Sequence, residues 1–130
     1  MDKGENIMLQ GLFGNATEVD VKELEKELAA TLIEGETVVK GFKIVRDMFI
    51  FTDKRLILID KQGMSGKKVE YHSILYKSIS HFSVESGGTF DLDAELKIYI
   101  SGNATPIQRE FKKGTDIVGV QKMLAQFVLK

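Results

Sequence analysis

The sequence predicts a mainly β domain. About seven short antiparallel strands should form two sheets packed face to face as a barrel, with one helix before the strands and a C-terminal helix closing one end. Three observations carry that expectation. Between residues 38 and 111, apolar, β-branched and aromatic runs alternate with turn residues. On either side, apolar residues recur with helical period. The chain has 130 residues, 43% of them hydrophobic and 28% charged, which is enough for one buried core and little more.

The first element is a helix over residues 17–34, stopped by Gly35. Thr17 is placed to cap it, with Asp20 at the capping-box position. Val21, Leu24, Leu28 and Leu32 make one apolar stripe, and Glu18–Lys22 is an i,i+4 pair in the favourable order. Strands follow over 38–45, 48–52 and 55–61, the last two joined by Asp53-Lys54. A glycine-bearing loop, Gln62 to Gly66, leads into a fourth strand over 67–71, and Tyr71-His72-Ser73-Ile74 reads as its end. The fifth covers 79–84, before the turn signal Gly87-Gly88. In the sixth, Leu96, Ile98 and Ile100 alternate with Lys97 and Tyr99, giving one dry and one wet face. Pro106, the single proline, opens the seventh, which runs to Phe111. Thr115-Asp116 then caps a final helix over 115–130, with Ile117, Val120, Leu124 and Phe127 on its stripe. The whole is read as one domain, 1–130: an apolar segment 1–16, the helix region 17–35, a barrel 38–111 and the capping helix.

Consecutive strands with short turns fold as meanders, and a plugged two-sheet sandwich of them has the architecture of a pleckstrin-homology (PH) domain. Specific strings extend the likeness over nearly the whole chain. They include Gly11-Leu12-Phe13-Gly14-Asn15, Glu18-Val19-Asp20-Val21 and Arg46-Asp47-Met48-Phe49. Phe51-Thr52-Asp53-Lys54-Arg55-Leu56-Ile57-Leu58, Asp60-Lys61-Gln62-Gly63 and Lys67-Lys68-Val69-Glu70-Tyr71-His72-Ser73-Ile74 follow, and then Phe90 to Ile98 and Phe111-Lys112-Lys113-Gly114. In this order the chain resembles a small bacterial family of PH-like proteins of unknown function. The resemblance implies the seven-strand barrel with its helical cap, and self-assembly into a closed homo-oligomeric ring, with a pentamer as the suggested size. It implies no activity.

The residues themselves argue against catalysis. There is no cysteine, hence no thiolate nucleophile and no Cys-ligated zinc. Gly63-Met64-Ser65-Gly66 is not a nucleophile elbow. His72 and Ser73 are adjacent in a strand and point to opposite faces. Only His72 and His81 offer imidazoles, and Asp91, Asp93 and Glu95 lack calcium-loop spacing, so they read as a solvated acidic edge. No glycine-rich phosphate cradle is present. The expectation is a non-enzyme without cofactor or metal. The start of the chain has no basic stretch before a long apolar run, and no run reaches about 18 apolar residues, so a cytoplasmic location is expected without a spanning segment.

Charge is unevenly placed. Residues 17–37 hold seven acids against two bases, and residues 38–81 hold nine bases against four acids. Lys40, Lys43, Arg46, Lys54 and Arg55 are therefore the candidate ligand-binding set, a basic face for an anionic ligand or membrane surface. The phosphoinositide motif of eukaryotic PH domains is not matched: Lys43-Ile44-Val45-Arg46 has the wrong spacing, and Asp47 intrudes. A net charge of −1 argues against nucleic acid. The apolar Ile7, Leu9, Leu12 and Phe13 are the candidate interaction residues, for the chain's own barrel, a neighbouring subunit or another protein in preference to a membrane.

Overall fold

The computed structural model describes residues 18–44, 47–62, 68–86 and 93–129. Thr17, Arg46, the Gly63–Gly66 loop, Gly87-Gly88, Asp91 and the segment bearing Ile7, Leu9, Leu12 and Phe13 lie outside the described residues. The chain divides into two compact units, Glu18–Tyr76 and a second containing Lys77–Lys130. Among the described residues each holds one antiparallel sheet, so these strands form two ladders and not one closed one.

In the first unit, β1 (Glu18–Val19), β2 (Val38–Ile44), β3 (Asp47–Thr52), β4 (Arg55–Gln62) and β5 (Lys68–Leu75) lie in chain order, with β1 and β5 at the edges. The helix α1 (Val21–Glu27) is shorter than its periodicity suggests, and it begins later. Asp20 is its N-cap: the backbone there is extended, and the carboxylate accepts from Lys22 N at 3.2 Å. Glu18 and Val19 consequently pair with Phe42 and Gly41 as β1. On a strand, Glu18 cannot reach Lys22 as a helical i,i+4 partner, and it meets Lys40 instead, at 3.5 Å. After the C-cap at Leu28, mixed turns continue the coil, with Thr31 N to Leu28 O at 2.8 Å and Leu32 N to Leu28 O at 2.9 Å. The expected stripe therefore survives the early end of the helix. Leu24 and Leu28 are buried with Val38, Ile50, Ile57 and Ile59, and Val19, Val21, Leu32 and Met48 pack around them.

The register shows why β3 and β4 are apolar without alternation. Ile50 faces Ile57, and Met48 faces Ile59, under α1; Phe49 faces Leu58, and Phe51 faces Leu56, on the opposite side. Both sides are buried, so polar residues have no face to occupy. Phe42 meets Phe51 edge to face, with centroids 6.1 Å apart. Gly41 lies directly beneath Leu24, and a Cβ there would collide with the Leu24 Cδ1 methyl.

In the second unit, a short 3₁₀ turn (Tyr76–Ser78) leads into β6 (Ile79–Ser86), β7 (Ala94–Ile100) and β8 (Ile107–Phe111), followed by α2 (Ile117–Val128). Leu96 and Ile98 are buried while Lys97 and Tyr99 are half-buried, which matches the dry and wet faces expected of this strand. His81 stacks on Tyr99 across the ladder, with ring centroids 4.1 Å apart. Asp116 caps α2 by accepting from Gly119 N at 2.9 Å. Ile117, Val120 and Leu124 are buried, and Phe127 is half-buried.

Candidate functional site

The densest polar construction among the described residues sits under the turn that follows α1. The β3–β4 hairpin is set by Thr52, whose hydroxyl accepts from Lys54 N at 3.1 Å and Arg55 N at 2.9 Å. Asp53 ties the hairpin to the approach of β2: its N–H donates to Thr37 O at 3.0 Å, and its carboxylate accepts from Thr37 N at 2.9 Å. That clamp brings Glu36 over the first residue of β4. Arg55 donates through Nε to Glu36 Oε2 and through Nη2 to Glu36 Oε1, both at 2.9 Å, a bidentate pair. Nη2 also donates to Thr31 O at 2.7 Å, and Nη1 to Ser73 Oγ at 2.9 Å. Glu36 further accepts from Ile33 N at 3.1 Å and from the Thr52 hydroxyl at 2.7 Å. The Tyr76 hydroxyl closes the cluster, placed between Thr52 O at 2.7 Å and Arg55 O at 2.8 Å.

The Glu36 side chain is 0% exposed and the Arg55 side chain 19%. Burial alone would raise a carboxyl pKa, yet the Arg55 hydrogen bonds outweigh it. With help from Thr52 and Ile33 N, they hold Glu36 down at about 2 from an ordinary 4.5. Burial, reinforced by the negative charge of Asp53, pushes Tyr76 up. For Glu36 the folded value lies below the unfolded one. Its stabilisation is complete above about pH 4.5 and is lost as pH falls toward 2, a loss of roughly 3 kcal/mol at 1.36 kcal/mol per unit. Urea unfolding between pH 6 and pH 2.5 should show this loss, and Glu36→Gln should flatten that part of the profile.

Among the described residues, which exclude Arg46, the candidate basic residues lie on both sides of the sheet. Arg55 shares the α1 side of the sheet with Ile57, whereas Lys40, opposite Phe51, lies on the other side and pairs with Glu18. Lys43 and Lys54 are exposed. Sequence reading missed Glu36 as a partner. The signal available was an acid two residues before β2 facing a Thr-Asp-Lys-Arg turn, and it has meaning only once β2 and β3 are paired.

In the second unit, Glu85, Glu95 and Glu110 lie opposite one another across β6, β7 and β8, beside a shallow recess of about 280 Å³ also lined by Asp93. Glu110 pairs with Lys112 at 3.3 Å, and Asp93 accepts from Lys113 N at 2.8 Å. Among the described residues, no group of three or more His, Cys, Asp or Glu side chains could hold a metal ion. In the first unit, β5 is an edge strand on which Val69, Tyr71 and Leu75 are exposed.

The family profile of the bacterial PH domain matches residues 7–128. The chain belongs to that family. This bacterial PH domain is 56% identical over 118 residues to the uncharacterized protein YjqA of Bacillus subtilis, covering 90% of this chain and 94% of that one. It is similar to the crystal structure of a PH domain from Shewanella amazonensis, with 56% identity and a TM-score of 0.84 over 95% of this chain and 99% of that one. A DUF1696 family protein with a PH domain from Shewanella loihica is 55% identical, with a TM-score of 0.75 over 86% of this chain and 96% of that one. The predicted fold class, two antiparallel sheets with a helix at each end, is thus the family's own. No helix among the described residues is long and apolar enough to cross a membrane.

Proposed function

We propose that this bacterial PH domain is a non-catalytic, cytoplasmic interaction scaffold that assembles into a homo-oligomeric ring. The observation that carries the reading is the separation of its uncommitted charges within the first unit. Exposed Glu23, Glu27 and Glu34 surround α1 and its turn, outnumbering Lys22 and Lys26, whereas on the strands and their hairpin exposed Lys43, Lys54, Lys61 and Lys68 outnumber exposed Glu70. A cyclic contact is head-to-tail and joins two different surfaces, so surfaces of opposite sign suit it. The same arrangement disfavours an anion-binding site. Arg55, the one guanidinium of the candidate set in the described residues, already holds a carboxylate by both of its oxygens.

Light scattering on the full chain tests the proposal. The expected result is one species of constant mass, a multiple of 14.6 kDa, that gives way to smaller species at high salt. A monomer at every protein concentration would overturn it. Flotation with anionic vesicles that depends on Lys43 and Lys54 would favour the membrane reading instead.

A further inference from the structure

We draw no further inference here: the strongest candidate, the exposed side of the edge strand β5 that bears Val69, Tyr71 and Leu75, carries nothing, because nothing in the structure shows what covers it.

Discussion

Replacing Glu36 with Gln is expected to destabilise the Glu18–Tyr76 unit by about 3–5 kcal/mol, the range for removing one partner of a buried ion pair. The shape is kept but the accounting of donors fails. Glu36 accepts from four donors: Arg55 Nε, Arg55 Nη2, Ile33 N and the Thr52 hydroxyl. A glutamine would turn an NH₂ toward some of them, setting donor against donor while the Arg55 charge stays four-fifths buried. Arg55→Met should cost a similar amount, since it strands a fully buried carboxylate. Removing both, as Glu36→Leu with Arg55→Met, should cost much less than the sum, because well-packed apolar pairs often replace buried ion pairs without loss. Urea unfolding of the four proteins checks this. A cost below about 1 kcal/mol for Glu36→Gln would place the cluster among weak surface pairs.

Leu24→Ala is the second large effect, about 2–5 kcal/mol for a buried leucine truncated to alanine. Leu24 is 1% exposed, and its Cδ1 methyl fills the hollow that Gly41 leaves in β2. The same fit makes Gly41→Ala costly in the wild-type chain, about 1–3 kcal/mol as an overpacked contact. The two changes should couple: with Leu24 truncated, the new methyl at residue 41 occupies vacated space. The double variant should therefore be more stable than the sum of the single losses predicts, as read from thermal or urea midpoints. Strict additivity would mean that α1 is not seated on Gly41.

These predictions concern residues whose roles were unevenly visible in one dimension. The strands from 38 to 111 and both helices are legible because their signals are local: alternation, apolar runs, capping residues and turn residues. The apolar stripe Val21, Leu24, Leu28 and Leu32 was legible too, and it packs as a stripe although the regular helix ends at Glu27. The helix start was misplaced because β1 is two residues long, too short for any period, and exists only by pairing with Phe42 and Gly41. The site was less legible. Arg55 reads as one more cation in a basic stretch, yet its partners lie 19 residues away at Glu36, 24 at Thr31 and 18 at Ser73.

The amino-acid sequence by itself determined the fold class, the order of the strands and the apolar faces, since each follows from residues within a few positions of one another. The tertiary structure alone decided that Arg55 is held by a buried carboxylate, that Gly41 receives a leucine, and that β5 ends the sheet with its apolar side bare. Those facts depend on register and on which strand comes last, and a linear pattern of side chains does not state either.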